Sequence, residues 1–286
     1  MIRADALRIT TLSENTASGR GILAEWGLSI LVETPGRRVL LDCGAGVSAA
    51  HNADTLGIDL ARLDAIVLSH GHYDHTGGLP GVLRKARKEI DVIAHPAVFG
   101  LKYGRTSTDS YRYSGIPYSR ESMEEMGARF RLSERVTWID EDIAASGEEA
   151  LTTDFEAVAE SLLLKTDGGY VQDPMADDQS LYLRTDRGLV VILGCAHRGI
   201  INILRDAQKA SATEHIFLVL GGTHLFAASP AQVERSIAEL RALGVERIGV
   251  SNCTGQTASM RLASEFGDSF FSNNAGTVID FSQLAS

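Results

Sequence analysis

Leu68-Ser69-His70-Gly71-His72-Tyr73-Asp74-His75-Thr76-Gly77-Gly78-Leu79 places three imidazoles and a carboxylate within six positions, between an apolar run and a helical pattern. Imidazole nitrogen and carboxylate oxygen are the ligands that bind zinc, manganese or iron at neutral pH. Alternation along an extended turn points His70 and His72 the same way, while Asp74 and His75 swing to a neighbouring position. Four such groups can serve two metals a few ångströms apart. A polar loop with Asp74 or Thr76 as a helix cap is the plainer alternative. The density of ligand types in so short a stretch argues against it.

Outward from this loop, short apolar runs bounded by turn residues alternate with helix-length segments. Strands are expected at Leu7–Thr11, Leu28–Glu33, Arg38–Asp42, Ala65–Leu68 and Val92–Ala94. A second set follows at Leu181–Arg184, Leu189–Leu193, Ile216–Leu220, Arg247–Val250 and Thr277–Phe281. Thr34-Pro35-Gly36-Arg37 joins the second and third as a hairpin turn. Helical periodicity fits Val47–Leu56, Leu79–Lys88, Arg198–Ala210, Pro230–Leu243 and Thr257–Phe266, with Pro230 and Gly244 bracketing the fourth of these. The two ends of the chain share one layout, which predicts an α/β protein of two sheet-helix halves packed together.

The middle differs. Residues 81–135 carry 11 Lys/Arg against 7 Asp/Glu, whereas residues 136–180 carry 12 Asp/Glu and one Lys. The whole of residues 1–286 is read as one domain, with an insertion or lid at about 95–180. Tyr103, Tyr111, Arg112 and Tyr113 make its basic part a candidate contact for an anionic substrate. A solvated basic face beside an acidic hairpin is the alternative.

Composition narrows the function classes. The 286 residues include 37 acidic and 27 basic side chains, a net charge of −10. That balance opposes a nucleic-acid partner, because neutralising phosphates needs Lys/Arg in excess. The longest apolar run, Gly188 to Ala196, falls well short of the roughly 20 residues that span a membrane. MIRADALRIT carries charges where a signal peptide has its apolar core, and Cys43, Cys195 and Cys253 form no disulfide framework. A cytoplasmic protein is expected.

The motif His-x-His-x-Asp-His after an apolar strand, with Leu41-Asp42-Cys43-Gly44 upstream, closely resembles the metallo-β-lactamase superfamily. The resemblance implies a four-layer αβ/βα sandwich with its metals at one edge. It also implies a third histidine for the first metal at His197, in Gly194-Cys195-Ala196-His197, and a supporting role for Asp42, orienting ligands by hydrogen bonding. Asp177-Asp178-Gln179-Ser180-Leu181, Gly221-Gly222-Thr223-His224-Leu225 and Cys253-Thr254-Gly255 narrow the resemblance. They are similar to the metal-dependent hydrolases related to dihydropterin–ribofuranosylaminobenzene phosphate synthase.

Two departures weaken the second metal site. Where most of the superfamily has a bridging aspartate, the strand ends in Gly221-Gly222-Thr223-His224. His224 offers one nitrogen lone pair and cannot bridge as a carboxylate does; a capping histidine is the alternative. Asn252 stands where the subfamily usually carries its last histidine, and an amide oxygen is a weak ligand. Cys253 is the soft substitute in reach, but alternation points it away. The first site, His70, His72 and His197, is complete, and the second, Asp74, His75 and His224, is depleted.

These residues predict a zinc protein with one or two ions, manganese or iron being alternatives. Water activated at the metal attacks a small anionic phosphoester or related ester, and Asp74 orients that water and accepts its proton. A pterin-linked transferase and a metal-binding sensor with little turnover are the other two readings.

Overall fold

The structure is a computed structural model describing residues 1–108 and 110–283. Three antiparallel strands, β1 (Arg8–Ser13), β2 (Ser29–Glu33) and β3 (Arg38–Leu41), continue into three parallel ones, β4 (Ala65–Val67), β5 (Ile90–Ala94) and β8 (Ala128–Leu132). The returning C-terminal strand β18 (Val278–Asp280) completes this seven-stranded sheet at the β1 edge. The second sheet repeats the plan. Antiparallel β9 (Thr137–Trp138), β10 (Ile143–Ala145), β13 (Leu181–Thr185) and β14 (Gly188–Leu193) lead into β15 (Ile216–Gly222), β16 (Arg247–Ser251) and β17 (Phe270–Ser272), which run parallel to β14.

Ile9, Ile30, Val39 and Val67 of the first sheet meet Ile143, Leu181, Val190 and Leu220 of the second in an apolar central layer. On the outside of the first sheet lie α1 (Ser48–Thr55), α3 (Leu79–Ala86) and α4 (Arg120–Glu125), sealed by Leu40, Ile66, Leu79, Val82 and Met123. On the outside of the second lie α5 (Ile200–Ser211), α6 (Pro230–Ala242) and α7 (Gln256–Phe266), sealed by Val191, Ile203, Leu240, Ile248 and Leu262. Helix, sheet, sheet, helix is the four-layer sandwich expected. Ser229 caps α6 by accepting from the Gln232 N–H at 3.2 Å, and Gly244 turns the chain out beyond its end with φ 67°.

The middle segment does not stay together. Its strand β8 joins the first sheet, and β9 and β10 join the second. What stands outside is a four-stranded antiparallel sheet of β6 (Lys102–Arg105), β7 (Tyr111–Tyr113), β11 (Leu162–Thr166) and β12 (Gly169–Gln172), in the order β12-β11-β6-β7. The insertion is therefore narrower than residues 95–180, because alternating Ala128-Arg129-Phe130-Arg131-Leu132 adds an edge strand to the core. No helix among the described residues is long and apolar enough to cross a membrane.

Candidate metal centre

Asp42, the His70–His75 loop, His197, His224 and Asn252 follow the carboxyl ends of β3, β4, β14, β15 and β16 respectively. β4 ends at Val67, and the chain runs through His70 and His72 into the single helical turn α2 (Tyr73–Thr76). The loop leaves no room for side chains at Gly71, Gly77 and Gly78. A Cβ on Gly71 would lie 2.0 Å from Val98 O, and one on Gly78 would lie 1.9 Å from Cys43 O. Glycine at these positions lets the loop lie flat against its neighbours.

His70, His72 and His197 converge, with one ligand atom from each within 4.8 Å of the others. The Nε2 atoms of His70 and His197 are 3.3 Å apart, close to the spacing of two imidazoles that share one zinc at about 2.0–2.1 Å each. Ser69 Oγ lies 2.6 Å from Asp42 Oδ2 and must donate to it, which leaves Oγ to accept from His70 Nδ1 at 2.9 Å. His70 is thus the tautomer whose Nε2 lone pair faces the cluster. Burial, with the charges of neighbouring imidazoles and of Lys102, holds all three histidines well below the usual imidazole range. They are neutral donors, as a metal requires.

A second group lies beside the first. His75 Nδ1 is bound to Asp42 Oδ2 at 2.6 Å, so its Nε2 points inward. Around that nitrogen stand Cys195 Sγ at 3.1 Å, the Asn252 amide at 3.3 Å and Asp74 Oδ2 at 3.5 Å. Burial alone would lower His75, but the carboxylates of Asp42 and Asp74 outweigh it and raise the group to about 9. Burial also pushes the Asp74 carboxyl up, with His75 opposing. The position stabilises positive charge, and the imidazole, thiol and carboxylate donors fit a divalent ion there.

His224 does not join this second group. Its ring packs on that of His197, with centroids 4.2 Å apart, and on Phe226 at 5.2 Å, so it flanks the three-histidine cluster. Cys253 also stays outside. Its thiol donates to Cys195 O at 3.4 Å and accepts from the His224 N–H at 3.3 Å. Asn252 is fixed from behind, because its N–H donates to Glu14 Oε1 at 2.8 Å.

The supports for these loops come from a motif with no chemistry of its own. Asp177 Oδ2 accepts from the Gly71 N–H at 2.8 Å, and Asp178 Oδ2 from the Arg198 N–H at 2.9 Å. Gln179 Nε2 donates to Leu68 O at 2.8 Å. Three consecutive side chains thereby tie the His70–His75 loop to the His197 turn. Asp177 also receives Lys102 Nζ at 2.8 Å, which Asp173 shares at 2.7 Å. Lys102 is 1% exposed, so this ion triad brings the small sheet onto the loop in a site closed to water.

The tyrosines of the small sheet are placed differently from a lid over the histidines. Tyr103 pairs with Tyr113 across the ladder, and alternation puts both on the face opposite Lys102. There Tyr111 stacks on Tyr170 at 4.1 Å, and Tyr103 meets Tyr113 and Tyr170 edge-on at 5.3 and 5.2 Å. Arg112, opposite Gly104, shares the Lys102 face and lies near Tyr73. Cys195, Asp177, Asp178 and Lys102 are the residues that sequence reasoning left without a role. A run of two acids in a buried segment was the available signal for the middle pair.

The sandwich and its edge of histidines define the class: the chain belongs to the metallo-β-lactamase superfamily, whose profile matches residues 27–155. Its similarity extends further than that match. The chain is 31% identical to the 7,8-dihydropterin-6-methyl-4-(beta-D-ribofuranosyl)-aminobenzene-5'-phosphate synthase of Methanocaldococcus jannaschii, covering 98% of each chain. An uncharacterized protein of the same organism is 32% identical, over 89% of this chain and 93% of its own. Among solved structures, Tm1679, a metal-dependent hydrolase of the beta-lactamase superfamily, superposes with a TM-score of 0.83 at 31% identity, over 96% of this chain and 98% of its own.

Proposed function

We propose that the protein is a metal-dependent hydrolase that uses water to cleave a small anionic ester, with phosphoesters foremost. The observation that carries this reading is the convergence of three buried, neutral imidazoles, His70, His72 and His197, beside the carboxylate of Asp74. A zinc ion held by His70, His72 and His197 would supply Lewis acidity and lower the pKa of a bound water toward about 7. The remaining work falls to the chain. Ser69 and Asp42 fix the rings of His70 and His75, and Asp74 orients the attacking water and takes up its proton. Arg112, exposed on the face of the small sheet that meets the loop, is the contact for the substrate's negative charge.

A cavity of about 510 Å³ opens between Phe226, Pro230, Val233 and Ala258. Phe226 lies against His224 and His224 against His197, so its largely apolar wall adjoins the cluster and suits an aromatic part of the substrate. With a net charge of −10, neither nucleic acid nor an anionic membrane surface is a partner in this reading. Three buried, unpaired cysteines suit a reducing cytoplasm.

The full-length similarity to a pterin-linked synthase supports a second reading, transfer to an arylamine acceptor. One experiment separates the two. The metal-loaded protein is incubated with a generic aryl phosphodiester, and separately with a dihydropterin diphosphate with and without an arylamine. Metal-dependent release of the aryl alcohol supports the hydrolase. Consumption of the diphosphate only when the amine is present overturns it in favour of the transferase, and no turnover on either overturns both.

A further inference from the structure

Two thiols lie near the metal edge, and the structure separates their roles. Cys253 is engaged by backbone on both sides, whereas Cys195 Sγ faces the inward nitrogen of His75 at 3.1 Å. Zinc bonds of about 2.3 Å to sulfur and about 2.0 Å to nitrogen at a tetrahedral angle hold the two donors roughly 3.5 Å apart. A movement of a few tenths of an ångström brings Cys195 and His75 to that spacing. His70 links the two groups, since its ligand atom lies within 4.8 Å of those of both His75 and Cys195.

Asn252 supplies an independent sign. The residue is 6% exposed, yet its Oδ1 has no hydrogen-bond partner. Its amide nitrogen lies 3.3 Å from His75 Nε2 and 3.4 Å from Cys195 Sγ. A half-turn of the amide exchanges its two ends and aims the unpartnered oxygen at the point that His75, Cys195 and Asp74 already face.

We propose that Cys195 is a thiolate ligand of a second metal ion, held with His75 and Asp74 and closed by the Asn252 oxygen, beside the three-histidine site. The inference rests on the metal-dependent reading above. The thiol gives its proton to solvent as the metal–sulfur bond forms, so charge and atoms balance without an oxidant. Sulfur makes this position selective. It takes zinc or cobalt and discriminates against manganese, whereas three imidazoles are less particular.

The test strips the full chain of metal with a chelator and reloads it with cobalt(II). Two bound ions and a near-ultraviolet sulfur-to-cobalt charge-transfer band are expected. Cys195→Ser loses the band and one of the two ions but keeps the visible bands of cobalt at the histidines, and Cys253→Ser keeps both. Because Cys195→Ser can fail to fold, the zinc-loaded wild-type chain is also measured by X-ray absorption, where a sulfur neighbour at about 2.3 Å is expected. A shell of nitrogen and oxygen alone, or a charge-transfer band that survives in folded Cys195→Ser, overturns the proposal and leaves the three-histidine reading standing. A chain that takes up neither cobalt nor zinc overturns both.

Discussion

Asp42 Oδ2 lies 2.6 Å from His75 Nδ1, while Oδ1 of the same carboxylate receives the Ser69 N–H at 2.7 Å. One fully buried carboxylate thus aims a ring of the second group directly and, through Ser69, a ring of the first. Asp42→Asn turns a donor or a weaker acceptor toward His75 and disturbs its tautomer. Metal affinity is expected to fall by about 10–100-fold, which competition with a fluorescent zinc chelator would measure. Wild-type affinity in the variant would show that the contact is only structural.

Removing one of the three converging imidazoles takes away a third of the donor set. His72→Ala is expected to reduce metal-dependent turnover to background while the two sheets stay folded. Circular dichroism alongside the activity assay checks this, and wild-type turnover would sink the mechanism.

Lys102 neutralises Asp173 and Asp177 in a site shut off from water. Lys102→Met leaves both carboxylates buried and unpaired, an error that costs about 3–5 kcal/mol. Denaturation in urea gives the number. A loss under about 1 kcal/mol would mean that water already reaches the triad.

Gly71 has Val98 O where a methyl group would go. Gly71→Ala is expected to push the loop outward at a cost of about 1–3 kcal/mol and to weaken metal binding with it. Thermal melts with and without zinc would separate the two effects, and a variant that binds zinc normally would show the loop to be more compliant than the contact implies.

Burial pushes the Asp178 carboxyl up to about 7, against the hydrogen bond from the Arg198 N–H. The unfolded chain releases this proton near pH 4, so between about pH 4 and 7 the folded state holds more protons than the unfolded one. Stability from this group is therefore complete below that window and lost as pH rises through it. Asp178→Asn, which keeps an oxygen for Arg198, should narrow the difference in melting temperature between about pH 5 and about pH 8. An unchanged difference would assign the pH dependence to other groups.

Ten of the strands and the five longer helices were legible because each carries a period set by burial on one face or two. The short ones were not. Thr137–Trp138 is too brief to hold a pattern, β7 and β12 are exposed throughout, and β6 buries a lysine in place of an apolar residue, so no apolar alternation marks them. The His-x-His-x-Asp-His loop could be read because its ligands are adjacent in the chain. Cys195 could not, since an isolated buried thiol looks like a small apolar residue until the turn through Ala196 sets it against His75. The tyrosines misled for a related reason. Their aromatic character was plain, but only the register opposite Lys102 decides which side of the sheet they occupy.

The strands that end at the metal edge turn through Asp42, Ala196, His224 and Asn252, with φ of 58°, 56°, 50° and 49°. None is glycine, and a left-handed backbone costs an L-residue about 1–2 kcal/mol, less for Asp and Asn. Among the described residues, four of the seven non-glycine positions with positive φ thus stand at this edge, beside the donor groups. On warming, those turns should let go first, and the protein would shed its ions as a local event well before the sheets come apart. Ala196→Gly would relieve part of that tension, giving a chain harder to melt and a site less well aimed.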